Sequence, residues 1–198
     1  MIRLKLPLIL ASGSPRRKEI LDLMGLSYTV DASDADETFS GRPTEMVLEL
    51  SYRKAAAVAP RHPNALVLAA DTLVFSDTVL GKPHTPECAR EMLGRLSGNW
   101  HNVYTGLTLI NTRTNRVIRN VDRTRVHFVT MTQEEIDDYV ATGEPLDKAG
   151  AYGIQGRGGM FIDRIEGSYS NVVGLPMAML RGMLQEMNGA QERNSGVF

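Results

Sequence analysis

The stretch Leu8-Ile-Leu-Ala-Ser-Gly-Ser-Pro-Arg-Arg17 combines an apolar run, a polar turn and a helix start. Its first three residues are typical of a strand that is covered on both faces. Ser14 is a favourable N-cap residue, and Pro15 suits the first helical position, where its missing N–H costs nothing. The helix is expected over 16–24, because Gly25 is a natural residue just beyond a helix C-terminus.

The junction between this strand and helix predicts an anion-binding site. A helix N-terminus leaves backbone N–H groups without intrahelical partners and carries the positive end of the helix dipole. Arg16 and Arg17 lie in the first turn, although the dipole disfavours cations there by roughly 0.3–1 kcal/mol each. A capped surface helix is the commoner structure for such spacing, but two arginines placed against the dipole favour a bound anion.

Composition is that of a globular domain in a reducing compartment. The chain has 198 residues, with 22 basic against 23 acidic side chains, and it has no basic run that would favour a nucleic-acid partner. Cys88 is its one cysteine, which excludes an internal disulfide. No segment has the pattern of a signal peptide or a membrane span. A cytoplasmic protein without a membrane partner is therefore expected.

Strand and helix patterns alternate along the rest of the chain, which favours an α/β fold. The apolar run 65–70 predicts a second buried strand, which 73–75 continues. The last helix, from Pro176, carries methionines and leucines at helical spacing, an arrangement typical of core or dimer packing. We expect a single domain over residues 1–198 whose C-terminal tail frays from about residue 188. Further strands are expected at 27–31, 101–111, 116–129 and 160–165, and further helices at 44–59, 85–97 and 132–140.

Two carboxylates and two lysines stand out by their positions. Asp71 follows a buried strand, and open α/β sheets bind ligands at the carboxyl ends of their strands; a turn or N-cap aspartate is the alternative. Glu37 lies in the acidic stretch 31–41, which is either a solvated loop or a loop that faces a divalent cation. Lys54 lies on a helix and Lys82 in a loop, so both could reach an anionic ligand.

The stretch 144–159 is rich in glycine and interleaves it with polar side chains such as Gln155. Glycine lets the backbone approach a ligand closely or adopt a positive φ. An ordinary flexible loop is the alternative, but Ala149, Tyr152 and Ile154 would have no use in a disordered segment. We therefore expect an ordered binding loop.

These candidates favour one class of chemistry. The sequence has no serine–histidine pair, no P-loop and no dinucleotide-binding fingerprint, and its histidines lack the spacing of metal ligands. Several cations together with a few carboxylates suit the binding of a polyphosphate with a divalent metal and the activation of water.

Five motifs together resemble the Maf family. They are Leu-Ala-Ser-Gly-Ser-Pro-Arg-Arg at 10–17, Ala-Ala-Asp-Thr at 69–72, Gly-Lys-Pro at 81–83, Asp-Lys-Ala-Gly-Ala-Tyr-Gly-Ile-Gln-Gly at 147–156 and Gly-Ser-Tyr-Ser-Asn-Val-Val-Gly-Leu-Pro at 167–176. Each is weak alone, but they occur in order from about Leu8 to the last helix. Together they are highly specific.

The resemblance implies a fold, a reaction and a cofactor. The expected fold is α/β, with a mixed, strongly curved sheet flanked by helices and two lobes with a central cleft for the nucleotide, as in the related inosine triphosphatases. The family's enzymes are nucleoside triphosphate pyrophosphatases, which release a nucleoside monophosphate and pyrophosphate with Mg²⁺ or Mn²⁺. A homodimer is also expected.

The resemblance also implies residue roles. Asp71 matches the proton acceptor that activates the attacking water, and Glu37, with Asp71, is expected near the metal. Lys54 and Lys82 match lysines on the phosphates. The remaining matches are Ser12 and Ser14 for phosphate and Arg16, Thr72 and Gln155 for substrate choice. No role is assigned to Arg17, which is expected to pack or pair on the surface.

The branch of the family sets the expected substrates. Arg16 stands where the branch acting on 7-methyl-GTP has tryptophan, and the loop around Gln155 is that of the branch preferring dTTP and UTP. Modified pyrimidine nucleotides such as pseudo-UTP and 5-methyl-UTP are further expected substrates, in a house-cleaning role, because one methyl-sized group gives only ~1–3 kcal/mol of discrimination. The alternatives are a 7-methyl-GTP pyrophosphatase and a non-catalytic nucleotide-binding regulator of cell division or septum formation.

Overall fold

The structure, a computed structural model, describes residues 2–194, with side-chain exposure defined through residue 189. Within this range the chain forms a seven-stranded mixed sheet flanked by α-helices. The strands are β1 (Leu8–Leu10), β2 (Tyr28–Val30), β3 (Leu66–Phe75), β4 (Val79–Leu80), β5 (Trp100–Asn111), β6 (Arg116–Phe128) and β7 (Ile162–Glu166). The helices are α1 (Pro15–Leu23), α2 (Pro43–Val58), α3 (Pro86–Leu96), α4 (Gln133–Ala141), α5 (Tyr169–Val173) and α6 (Met177–Asn194).

The sheet contains both parallel and antiparallel pairs, which confirms the expected mixed α/β class. Its strand order is β2-β1-β3-β5-β6-β7, with β4 paired to β3 outside this path, so β2 and β7 stand at its two ends. β1 runs parallel to both β2 and β3, whereas β3–β4 and β6–β7 are antiparallel.

The chain divides into two compact units, in agreement with the two expected lobes. Unit 1 comprises the chain up to Asp71, the segment Gly106–Asp122 and the chain from Gly174 onward. Unit 2 comprises Thr72–Thr105 and Arg123–Val173. The boundary in β3 falls between two candidate site residues, Asp71 and Thr72.

In unit 1, α2 packs directly on the sheet. Ala55 and Val58 of α2 are buried in one cluster with small and branched residues of β1 and β3. A Cβ at Gly106 of β5 would overlap the carbonyl oxygen of Val47, so glycine is required where helix and strand meet. Ser51 of α2 also shares a buried hydrogen bond of 2.9 Å with Thr108 of β5. These contacts fix the helix that carries Lys54.

In unit 2, α3 and α4 cover an aromatic core. Phe128 of β6, His101 of β5 and Tyr152 of the glycine-rich stretch pack edge to face, with ring centroids 4.8–5.3 Å apart. His101 Nε2 and the Tyr152 hydroxyl share a buried hydrogen bond of 2.8 Å. The residues 144–159, called the glycine-rich loop below, are therefore anchored in a core, as an ordered loop requires.

Several local predictions are confirmed and others need correction. The strand–turn–helix start is confirmed, with α1 from Pro15 and Gly25 at φ 65° beyond its end. Ser14 is the N-cap residue but makes no capping hydrogen bond with its side chain. Met183 and Met187 of α6 are buried, so they belong to the core and not to a dimer surface. The short elements β4 and α5 have no counterpart in the sequence pattern.

α6 continues to Asn194, and the rest of the tail predicted to fray, 195–198, lies outside the described residues. No helix in the described part of the chain is long and apolar enough to cross a membrane.

Candidate active site

The turn between β1 and α1 is held together by Ser12 and Arg17. The buried Ser12 hydroxyl accepts hydrogen bonds from the Ser14 N–H at 3.3 Å and from Arg17 Nη1 at 2.9 Å. Arg17 Nε donates to the carbonyl of Gly174 at 3.1 Å. Arg17 therefore pairs within the protein, as expected, and its guanidinium ties the turn to the chain that leads into α6.

Arg17 also lies in the field of two candidate carboxylates. Burial lowers the pKa of its guanidinium, and the carboxylates of Asp71 and Glu37 oppose that shift because they favour the charged form. Arg16 and Arg17 are both half-buried, but they differ in their partners, because the Arg16 side chain makes no hydrogen bond or ion pair within residues 2–194. Of the two arginines, Arg16 can turn to a ligand without giving up a protein partner.

Lys54 brings the two candidate carboxylates of unit 1 together. Its Nζ lies 2.7 Å from Asp71 Oδ1 and 3.1 Å from Glu37 Oε1. The Lys54 and Asp71 side chains are only 13% and 11% exposed, whereas Glu37 is 64% exposed. α2 supplies the lysine and β3 supplies the aspartate, so a helix and a strand fix the inner pair while the acidic loop supplies the outer carboxylate.

The carboxylates of Asp71 and Glu37 fit a divalent cation that is shared with a substrate. Both face the Lys54 ammonium group, so the same two side chains could together hold a divalent cation. Mg²⁺ is usually held by one or two carboxylates together with substrate phosphates. Within residues 2–194 no cluster of three or more histidine, cysteine or acidic side chains could hold a metal without such help.

In unit 2, the Thr72 hydroxyl belongs to a network of hydrogen bonds. Its hydroxyl shares a hydrogen bond of 3.0 Å with Thr105, which in turn donates to the Asn171 carbonyl at 3.0 Å. The Asn171 side chain is fully buried and donates to the Val103 carbonyl and to the Thr124 hydroxyl. A buried polar network therefore supports Thr72.

The structure places the predicted site residues in two sets. Ser12, Ser14, Arg16, Glu37, Lys54 and Asp71 belong to unit 1, and Thr72, Lys82 and Gln155 belong to unit 2. Lys82 and Gln155 are exposed. Sequence reasoning missed the supporting residues Arg17, Thr105 and Asn171. Arg17 and Asn171 lie inside quoted motifs, but Thr105 stands in an ordinary strand pattern that gives no signal of its role.

Comparison with known proteins shows the family of the chain. The family model described as "Maf-like protein" matches residues 7–187. A protein from Geobacillus sp. (strain WCH70) named dTTP/UTP pyrophosphatase is 51% identical over 174 residues, which are 86% of this chain and 92% of the relative. Relatives of the same name from Bacillus mycoides (strain KBAB4) and Bacillus cytotoxicus are 47% and 48% identical, over 91% of this chain and 95% of each relative. The chain belongs to the Maf-like protein family.

Proposed function

We propose that this protein hydrolyses dTTP and UTP to the nucleoside monophosphate and pyrophosphate. It is a nucleoside triphosphate pyrophosphatase, as the family and the names of three relatives support. The structural observation that carries the proposal is the inner pair of Lys54 and Asp71 with Glu37 beside it. This arrangement combines a base, a phosphate-binding cation and a second metal-ligating carboxylate.

Asp71 is the proton acceptor in the proposed reaction. A water oxygen attacks the α-phosphorus and becomes part of the monophosphate, while a proton of the water passes to the Asp71 carboxylate. The bond from the α-phosphorus to the bridging oxygen breaks, and its electrons leave on pyrophosphate. Lys54, which holds the carboxylate in the structure at 2.7 Å, turns to the phosphates when substrate enters. A bound divalent cation, Mg²⁺ or Mn²⁺ at Glu37 and Asp71, would neutralise charge on the phosphates and favour ionisation of water.

The other candidate residues bind and select the substrate. We assign Ser12, Ser14 and Lys82 to the phosphates. We assign Arg16, Thr72 and Gln155 to substrate choice. The site would also accept 5-methyl-UTP, which adds one methyl group to UTP, because a pocket discriminates poorly against one methyl-sized group. It would accept pseudo-UTP as well, since this isomer of UTP has a base of the same size, and both would be removed in a house-cleaning role.

A product assay tests the proposal. Purified protein is incubated with dTTP, UTP, the two modified pyrimidine nucleotides, dATP and 7-methyl-GTP, with Mg²⁺, with Mn²⁺ or with a chelator. The expected result is monophosphate and pyrophosphate from the pyrimidine nucleotides, with loss of turnover in chelator. Inorganic phosphate as the product, or a preference for 7-methyl-GTP, would contradict the assignment.

Three further features are proposed with this function. The sole cysteine, Cys88, supports a cytoplasmic location, which fractionation of expressing cells tests. The family resemblance supports a homodimer, and sedimentation velocity measures it. A single domain over residues 1–198 would unfold in one cooperative calorimetric transition.

A further inference from the structure

The carboxylate of Glu144 lies inside the glycine-rich loop and accepts hydrogen bonds from that loop and from α4. Glu144 Oε1 accepts from the Tyr139 hydroxyl at 2.7 Å and from the Gly158 N–H at 3.3 Å. Glu144 Oε2 accepts from the Arg157 N–H at 3.0 Å. Two successive backbone N–H groups therefore face a carboxylate that belongs to the same loop.

Three glycines of the loop lie where an added Cβ would meet neighbouring side chains. A Cβ at Gly156 would overlap the Glu144 carboxylate, and one at Gly158 would lie 2.5 Å from the Tyr139 hydroxyl oxygen. A Cβ at Gly153 would lie 2.8 Å from Cε of Lys148. At these three positions glycine leaves room for side chains of the protein itself, whereas the sequence pattern predicts room for a ligand.

Further contacts close the loop on both sides of Gln155. The Gly153 N–H donates to the Tyr139 hydroxyl at 3.2 Å, and Lys148 Nζ donates to the Glu144 carbonyl at 2.8 Å. Gln155 itself is exposed. It lies between residues 153 and 157, and the backbone N–H groups of both are tied to the Tyr139–Glu144 pair.

The electrostatics keep Glu144 ionised at neutral pH. Partial burial works to raise the pKa of its carboxyl, but the hydrogen bonds from Arg157, Tyr139 and Gly158 outweigh burial and lower it. Burial together with the Glu144 carboxylate raises the pKa of the Tyr139 hydroxyl. The hydroxyl therefore stays protonated and can donate a hydrogen bond to Glu144.

We propose that Glu144 is a positioning residue for Gln155: its carboxylate is a built-in anion around which the loop winds, and it fixes the side chain that selects the pyrimidine. This role rests on the proposed function, because Gln155 is assigned there to substrate choice. Glu144 touches no reacting atom in this scheme. It acts on the substrate through the shape of the loop.

A double-mutant cycle on dTTP kinetics tests the proposal. Glu144→Gln keeps the size of the side chain but presents an amide to backbone donors, and Gln155→Ala removes the side chain it positions. Because a misplaced binding group costs one to two orders of magnitude, each variant should raise KM for dTTP about tenfold or more with a smaller change in kcat. The double variant should resemble the worse single variant, since both act through one group.

Controls separate positioning from general damage to the fold. Glu134→Gln, an exposed substitution on α4 of the same unit, should leave KM unchanged. Tyr139→Phe removes one donor to Glu144 and should raise KM less than Glu144→Gln does, which provides a second measurement if the latter folds poorly. Inhibition by free pyrophosphate should be unaffected by all of these variants, because Gln155 is not assigned to the phosphates.

Two results would overturn the proposal. One is an unchanged KM for dTTP in Glu144→Gln, and the other is fully additive effects of Glu144→Gln and Gln155→Ala. If the unaltered protein cleaves no triphosphate, the proposed function fails, and amide hydrogen exchange still measures the loop. In that measurement the N–H groups of Arg157 and Gly158 should exchange faster in Glu144→Gln if the carboxylate holds them.

Discussion

Asp71 and Glu144 are both carboxylates that accept hydrogen bonds from the protein, but their donors differ in kind. Asp71 is held by an ammonium at the end of a flexible lysine stem, whereas Glu144 is held by backbone N–H groups and a buried hydroxyl. A side-chain donor can leave for a ligand by a change of rotamer, while backbone donors can leave only if the loop is rebuilt. The Asp71 carboxylate can therefore be released for a reaction, whereas the Glu144 carboxylate is suited to holding the loop in shape.

The surroundings of the two carboxylates follow the same division. Lys54 and Asp71 are placed by α2 and β3, which regular hydrogen bonding and a packed core hold in register. Glu144 is placed in a segment of short 3₁₀ turns, where packing against glycines replaces regular structure. Substitutions should therefore separate effects on turnover from effects on the shape of the site.

The largest expected effect is on turnover at the first carboxylate. Asp71→Asn removes the proposed proton acceptor and should lower kcat for dTTP by about 10²–10⁴-fold, the usual contribution of a general base. Asp77→Asn is the control, since Asp77 is exposed on the turn that follows β3. If Asp71→Asn retained the full rate of pyrophosphate release, Asp71 would not be the general base, and the proposed difference in role between Asp71 and Glu144 would be refuted.

The next effect concerns the helix that carries Lys54. Gly106→Ala would force α2 away from β5, because its Cβ overlaps the Val47 carbonyl, and should reduce the free energy of unfolding by about 3 kcal/mol. Gly182→Ala is the matched control in unit 1, since a Cβ there meets no atom within 4 Å. That change should stabilise α6 by about 0.5–1 kcal/mol. Denaturant titration measures both, and equal effects would refute the contact.

The third effect is a loss of stability at acid pH, caused by His101, whose ring is hydrogen-bonded to Tyr152 of the glycine-rich loop. Burial, aided by the charge of His127, lowers the pKa of His101 to about 4, so the folded protein holds this ring neutral. The unfolded chain binds the proton at higher pH, near 6.5, so stability falls as pH falls from 6.5 towards 4. The loss should be about 2 kcal/mol at pH 5.

Substitution of His101 checks the source of that acid sensitivity. His101→Gln cannot titrate, so its stability curve should be flatter between pH 6.5 and 4.5 than that of the unaltered protein. His84→Asn is the control, since His84 is exposed and asparagine tolerates its φ of 60°. A pH dependence that survives in His101→Gln would assign the effect to another group.

The smallest effect should be on substrate choice through Thr72. Thr105→Val removes the hydroxyl that pairs with Thr72, and should cost about 1–2 kcal/mol of stability because buried polar groups lose a partner. Thr108→Val is the control: Thr108 is also buried on β5, and losing its hydrogen bond to Ser51 should reduce stability by a comparable amount. The ratio of kcat/KM for dTTP over dATP should change by a few-fold in the first variant alone. Equal changes in both would remove Thr105 from the support of Thr72.

Local sequence signals predicted the elements of unit 1 well. The apolar run of β1, the Ser14–Pro15 helix start and Gly25 each act within a few residues. The apolar run 65–70 correctly predicted a buried strand, but Asp71 lies inside β3 and not after its end. The pairing of Lys54 with Asp71 is different, because it depends on how α2 lies along β3. That alignment depends on the missing side chain at Gly106, where α2 contacts the backbone of β5. A strand pattern does not predict such a contact.

The glycine-rich loop shows where sequence reasoning reaches its limit. Its order was correctly predicted from its apolar residues, but its glycines were attributed to a ligand. Glu144 lies nine to fourteen residues from the glycines and amides that surround it, in a segment without a regular period. No 2- or 3.6-residue pattern relates such positions, so the internal anion becomes visible only in three dimensions.

The two ends of the sheet order bear on the behaviour of the protein at high concentration. The outer edge of a sheet offers unpaired backbone groups on which another chain can add a strand and begin to aggregate. β2 limits that risk by being three residues long. β7 carries Asp163, Arg164 and Glu166, and the two acids pair across to His127 and Arg125 of β6 at 2.6 Å. A charged, paired edge of this kind resists strand addition, so colloidal stability is built into the ends of the sheet.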